Sequence, residues 1–469
     1  MNDSSETFVN MFGGSPLNRL SWLRTSHYFL NAVVTLPQTK WLLFNAGQPL
    51  VVSNPSTPQT RPQPAYLSTS EVKPLLGPQP YFGQGEKLGI LVSDEINNVR
   101  HSPTEAARHH PQSRPIVFLG VQEKLANGDV LAALPTAEFS SPDFAVEAIK
   151  KLDGIPYFAM EVADVIQDGQ ISEEGMLELF KESSQDTEGK VFAWSEPRAL
   201  LSVLDHFAGA VFASAKSLVD WNYRNKFCPG CGSGTYSMWG GWKISCLTLL
   251  PWSDNTGKRP CPSGMGLHNY THPRTDAVVI MIAIDETGNK VLLGRNRKFP
   301  GKFYSALAGF IEPGESFEDA VAREMWEEAG VRVWSARYHS GQPWPYPANL
   351  MVGFYARADS TKPIRTDLDN ELVDARWFTR EEILAVLNHR SGTYLSGRDY
   401  KKIGDSLDKK DDPNVKALAP GAKVEDTKPQ ADDPPFKIPP ITAIAGVLIR
   451  DWAEGKIGFG AGQTVGPSL

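Results

Sequence analysis

The chain has 469 residues, 41% of them hydrophobic and 22% charged, with a formal net charge of −7. That length allows about two to four domains, each with its own core. The acidic balance argues against a general nucleic-acid coat or a membrane-surface binder, and no run approaches the roughly eighteen apolar residues of a spanning helix.

Residues 1–225 read as an N-terminal α/β, β-rich domain. Stretches 28–36, 40–44, 116–121 and 157–162 carry the β-branched and aromatic content of short strands. The Pro/Ser/Thr-rich pieces 53–66 and 101–115 between them predict surface loops or local disorder. From 199 to 223, Leu200, Val203, Leu204, Phe207, Ala210 and Val211 recur at helical spacing and predict a helix. No catalytic signature marks this part, which reads as a scaffold or dimerisation domain.

All four cysteines lie between 228 and 261, in residues 226–275. Clustering without an export signal favours a metal site over disulfides. Cys228-Pro-Gly-Cys231-Gly is a knuckle whose backbone amides can face two thiolates, and Cys246 and Cys261 complete a set of four suited to tetrahedral Zn²⁺. The second pair is spread wide, so the chain between them must loop out. His268 and His272 are competing ligands. A redox role is the alternative, disfavoured because no thioredoxin-like βαβ pattern surrounds the cysteines.

Residues 276–455 predict a second α/β unit. Run 276–284 is apolar and β-branched, as a buried strand should be; 286–289 reads as a hairpin turn and 290–293 as the partner strand. Ser316 and Asp319 predict a capping box opening a helix, and Gly330 sits where a helix-ending glycine belongs. Strands are expected at 332–338, 350–358 and 374–378, with a short helix at 380–389. Residues 391–436 predict a disordered insertion, followed by an amphipathic helix after Pro439 and a tail at 456–469.

The box helix carries the chemistry. Glu324, Glu327 and Glu328 fall at spacings of three and four, on one face. Like charges so placed cost roughly 0.2–0.5 kcal/mol per pair without a cation. Arg323 can reach Glu327 but cannot neutralise three carboxylates. Mg²⁺ takes oxygen ligands and keeps positions open for phosphates. The physical reading is a helix face that holds Mg²⁺ or Mn²⁺ against a phosphate. A solvated acidic helix would be the bland reading of these glutamates alone. The second signal is the run from Gln342 to Asn349, Gln-Pro-Trp-Pro-Tyr-Pro-Ala-Asn. Its prolines predict a stiff loop offering Trp344 and Tyr346 to a planar base and the Gln342 amide to a hydrogen bond; a packed polyproline linker is the plain alternative.

Gly309, Glu315, Arg323, Glu324, Glu327, Glu328, Gly330 and Val331 stand at the spacing of the Nudix box, which this stretch resembles. With the array after the box and the four cysteines ahead of it, the chain resembles the NADH pyrophosphatases among the Nudix hydrolases. The array departs from that family's pattern at Gly341, Tyr346 and Asn349. The resemblance implies a Nudix α/β/α sandwich preceded by a zinc ribbon and the N-terminal domain. It implies hydrolysis of NAD(H) to NMN(H) and AMP, and removal of NAD caps from RNA 5′ ends. Carried over residue by residue, it implies two or three Mg²⁺ or Mn²⁺ ions on Glu324, Glu327, Glu328, Glu371 and the Ala308 carbonyl. One Zn²⁺ on Cys228, Cys231, Cys246 and Cys261 is structural. Glu324, Glu327 and Glu328 form the catalytic set, of which Glu328 or Glu327 is expected to accept the proton, while Gly309, Glu315, Arg323 and Gly330 shape the box. Phe310, Gln342, Pro343, Trp344, Pro345, Tyr346, Pro347, Ala348, Asn349 and Ala445 line the implied substrate pocket. A homodimer is also implied.

Two rival readings exist. One is the same chemistry on ADP-ribose or dinucleoside polyphosphates, and the other a zinc-ribbon adaptor with an inactive Nudix domain; the intact box disfavours the second. The first residues lack a basic and then apolar leader, so secretion is not expected. The final Gly-Pro-Ser-Leu shares only Leu469 with a peroxisomal S-K-L signal. The expected compartment is the cytoplasm, with the peroxisome second.

Overall fold

The computed structural model describes residues 10–54, 61–77, 81–83, 92–93, 100–101, 115–123, 147–183, 190–250, 253–266, 268–297, 299, 301–369, 371–395, 399 and 434–457. The expected insertion 391–436 falls largely outside the described residues, as do most of the expected loop 101–115, residues 55–60 of the expected loop 53–66 and the tail from 458, while Gln63–Pro64 of that first loop pair as a short strand. The chain divides into two compact units, one of Ser15–Arg274 with Pro345–Ala348, the other of Met1–Gly14, Thr275–Trp344 and Asn349–Leu469. Among the described residues no helix is long and apolar enough to cross a membrane.

In the first unit a sheet forms around Lys40–Asn45, whose central residues are all buried. This strand pairs antiparallel with Gln48–Ser53 and parallel with Gly154–Glu161, which pairs antiparallel with Ile116–Glu123. Alternation along the strand sends Trp41 to one face, where it stacks on Phe158 at 5.1 Å. Phe44 goes to the other face and meets Phe212 of the helix His206–Arg224 at 6.2 Å. That helix begins later than its periodicity predicts. Asp205 caps it, and the preceding Pro197–Ser202 is a separate 3₁₀ turn.

One expected strand is a helix. Residues 28–36 fall within and after His27–Val33, which opens at Ser26, whose side chain accepts the Phe29 N–H. The β-branched residues that suggested a strand sit at its end. Phe29, Leu30 and Val33 bury one helical stripe, and the cap decides the conformation.

In the second unit, strand Asp276–Ile284 is central. It pairs parallel with Asn349–Ala358 and antiparallel with Lys290–Asn296 and Leu307–Phe310. Val333–Trp344 and Leu372–Thr379 flank these pairs in a six-stranded mixed sheet. Both faces of the central strand are buried, which explains its unbroken apolar run. Val279, Met281 and Ala283 join Ala320, Val321, Met325 and Ala329 of the helix Phe317–Ala329. Ile280, Ile282 and Ile284 join Ile383 and Val386 of the helix Arg380–Leu387, and Leu448, Ile449 and Trp452 of the helix Ile444–Ala453. The result is an α/β/α sandwich. The proline-rich run is also not a free loop. Gln342, Pro343 and Trp344 end a strand in register with Met351, Leu350 and Asn349, so the stretch is a hairpin. Pairing with the next strand organises it, and its prolines only limit the tip.

His27 is 2% exposed, and burial pushes its imidazole down to about 4 from the usual 6.5. The unfolded chain binds a proton that the folded one refuses. Stability is therefore intact above about pH 6.5 and is expected to fall by on the order of 2–3 kcal/mol as pH drops toward 4. His27→Leu should flatten that part of a pH series of urea denaturation midpoints, and an unchanged slope would count against this account.

Candidate functional site

The acidic face is built on the helix Phe317–Ala329. Ser316 caps it reciprocally, its hydroxyl accepting the Asp319 N–H at 3.2 Å while Asp319 accepts the Ser316 N–H at 3.0 Å. Gly330 ends the helix in the left-handed region with φ 65°. Packing of Val321, Met325 and Ala329 against the sheet fixes the helix's rotation. That rotation turns Glu328 inward, where it is 4% exposed and one oxygen accepts the Ala308 N–H at 3.2 Å.

Arg323 organises the other acids. Its Nε and Nη2 donate to the two oxygens of Glu315 at 2.6 and 2.9 Å, and Nη2 also donates to the Phe310 carbonyl at 2.8 Å. Nη1 donates to Glu324 at 2.7 Å and to Glu327 at 3.0 Å. This arginine holds the Glu315 carboxyl down at about 2, helped by the Glu312 N–H. Glu324 moves the opposite way, raised by burial against the pull of Arg323. Burial pushes Glu328 well above the ordinary carboxylate range, and the charges of Glu324, Glu371 and Asp369 push it further. The charges of Glu371 and Asp369 thus act on the helix glutamates, Asp369 being a residue that spacing within the helix does not single out. Its position two residues ahead of Glu371 in a run of acids was the available signal.

Gly309 lies against this cluster. A Cβ there would come within 1.8 Å of the Glu324 carboxyl carbon, so the box requires glycine for the room it leaves. Glu327 is more open and is held by Arg323. Phe310 is 57% exposed, available to a planar ring. Ala445, by contrast, is buried in the core at the start of the last helix. Gln342 is 1% exposed with its amide fully committed: Nε2 donates to the Met11 and Thr442 carbonyls and Oε1 accepts the Ile444 N–H. Trp344 is half-buried and pairs with Asn349, which starts the returning strand, and Pro343 pairs with Leu350 one step further from the tip. At the tip, with Pro345, Pro347 and Ala348, Tyr346 donates its hydroxyl to the Pro197 carbonyl and lies under the Arg198 guanidinium at 4.8 Å.

The four cysteines meet in the first unit. Their sulfur atoms all lie within 4.8 Å of one another, with Cys228 3.6 Å from Cys261 and Cys231 3.4 Å from Cys246. The knuckle turns at Gly232, where φ is 72°, and its N–H donates to the Cys228 carbonyl at 2.7 Å. The hairpin of Thr235–Met238 and Lys243–Cys246 carries the third cysteine back to the knuckle. The two donor sets differ in kind. Four converging thiols suit a soft, tetrahedral ion, and a face of carboxylate oxygens suits a hard divalent cation.

Comparison with known proteins bears on both units. The NUDIX domain family model matches residues 273–396, and that of the NADH pyrophosphatase-like rudimentary NUDIX domain matches residues 38–221. The NAD-capped RNA hydrolase NUDT12 of Homo sapiens is 35% identical over 390 residues, 81% of this chain and 69% of that one. The NAD-capped RNA hydrolase of Schizosaccharomyces pombe is 33% identical over 381 residues, 80% of this chain and 85% of that one. NUDT12 of Macaca fascicularis is 48% identical over 207 residues, which span 44% of this chain and 42% of that protein.

Two outcomes are expected. Gly309→Ala should displace the Glu324 carboxylate and lower any metal-dependent hydrolysis at least about tenfold, while the melting temperature stays within a few degrees; full activity would contradict the close approach. Cys231→Ser should reduce bound metal by elemental analysis and lower the melting temperature. Unchanged metal content and melting would remove the metal from the cysteine cluster.

Proposed function

We propose, from the premise that this chain belongs to the Nudix hydrolases of the NADH-pyrophosphatase type, that it hydrolyses the pyrophosphate bond of NAD(H) to NMN(H) and AMP. On RNA bearing an NAD cap, the same cleavage releases NMN and leaves a 5′-monophosphate end. The observation that carries this reading is Glu328, a buried carboxylate whose ionised form is disfavoured by burial and by the charges of Glu324, Glu371 and Asp369. Burying such a group is costly unless a proton or a cation answers it.

Glu324, Glu328 and Glu371, with the Ala308 carbonyl and support from Glu327, would hold Mg²⁺ or Mn²⁺. When bound, these ions neutralise the pyrophosphate charge and acidify a water at neutral pH. The chain's own residues do the rest. Arg323 fixes the carboxylates of Glu324 and Glu327 relative to the Glu315 turn, so the face is preorganised before substrate arrives. The attacking water adds its oxygen to one phosphorus while the bridging oxygen leaves with the other half. Its proton passes to Glu328, the buried carboxylate that the Ala308 N–H holds on this face. Phe310 and Trp344 offer rings to the bases. The four cysteines would hold one structural Zn²⁺. A homodimer in the cytoplasm is the state this reading expects.

The test is product analysis. With Mg²⁺ or Mn²⁺, NADH should yield AMP and NMNH, and NAD-capped RNA should yield NMN. Glu328→Gln should keep its melting temperature and bound zinc yet lose at least about a hundredfold in kcat. A variant with full activity would refute the acidic-face mechanism, and an intact chain that leaves NADH whole would refute the substrate.

A further inference from the structure

The strand end that carries Gln342 and Trp344 is gripped by residues more than three hundred positions upstream. Asn10 is 3% exposed, and its Nδ2 donates at 2.9 Å both to the Ser340 hydroxyl and to the Gly341 carbonyl. The Met11 carbonyl accepts from Gln342 Nε2 at 3.1 Å. Gln342 in turn accepts the Ile444 N–H at 2.8 Å, tying the same point to the start of the last helix. Phe12 is 2% exposed and meets Trp344 edge-on, with ring centres 6.1 Å apart and planes at 65°. Its φ is 72°, a region that bulky L side chains seldom adopt and that persists only where surrounding contacts enforce it. Asn10, Met11, Phe12 and residues 340–344 belong to one compact unit.

Trp344 keeps part of its surface open while Phe12 lies against it. A ring that receives a planar base must be held in one orientation before the base arrives, because ordering it on binding costs affinity. We propose that Asn10 and Phe12 are specificity-determining positioning residues, clamping the end of the strand so that Trp344 presents a fixed face to the base of the dinucleotide. This rests on the reading of NAD(H) as substrate. The glutamate face has its own supports in Arg323 and the Ala308 N–H, so the clamp acts on binding and not on bond cleavage.

The experiment uses the full chain with Mg²⁺ and NADH. Phe12→Ala should raise KM about five- to tenfold while kcat stays within about twofold. Asn10→Ala should act in the same direction and speed amide hydrogen exchange across residues 340–344. If Phe12→Ala fails to fold, Phe12→Leu and Asn10→Asp serve, and a KM that rises with kcat retained supports the clamp equally. A kcat that falls with KM unchanged, or kinetics and exchange that do not move, would overturn it. Wild-type protein that leaves NADH intact would defeat the substrate reading, and this proposal with it. Wild-type protein that splits NADH, beside variants of unchanged KM, would defeat this proposal alone.

Discussion

The acidic face depends on one guanidinium. Arg323 makes five hydrogen bonds, to both oxygens of Glu315, to the Phe310 carbonyl, and to Glu324 and Glu327. It therefore joins the turn that enters the helix to the helix face itself, and its own proton is held more firmly than in free arginine. The planar fork suits this task, since bidentate contact with Glu315 fixes its orientation and leaves Nη1 for the face. None of those five bonds goes to Glu328. Burial and the charges of Glu324, Glu371 and Asp369 together disfavour the ionised form of Glu328, which is 4% exposed.

The sandwich makes this burial sustainable. Alternate residues of Asp276–Ile284 pack the box helix on one face of the sheet and the two later helices on the other. Burial of Val321, Met325 and Ala329 sets the helix rotation, and the rotation aims Glu328 at the Ala308 amide. Rotating the helix to expose Glu328 would unpack that apolar stripe, so hydrophobic burial holds a polar group where it would not settle alone. Gly309 completes the fit by leaving the Glu324 carboxylate room that any side chain would occupy.

Local signals were legible wherever local physics decides. The Ser316–Asp319 cap, the helix end at Gly330 and the buried strand 276–284 all follow from spacings of a few residues. Stretch 28–36 misled because β-branched content at its end outweighed the cap at Ser26 and the buried stripe of Phe29, Leu30 and Val33. The proline-rich run misled for a different reason. Its stiffness was visible, but its strand pairing with residues 349–351 was not. Gln342 reads as a free amide in sequence, while in the fold every part of it is bonded to backbone.

The sequence by itself determined the helix that carries the glutamates and the side of it they share, because capping and periodicity act over one or two turns. Only the tertiary structure decided that Glu328 is buried, that Asp369 and Glu371 add to its field, and that Asn10 and Phe12 grip the strand bearing Trp344. Those contacts join residues from tens to hundreds of positions apart, and chain entropy leaves such pairs unspecified until the apolar faces of the sheet have closed.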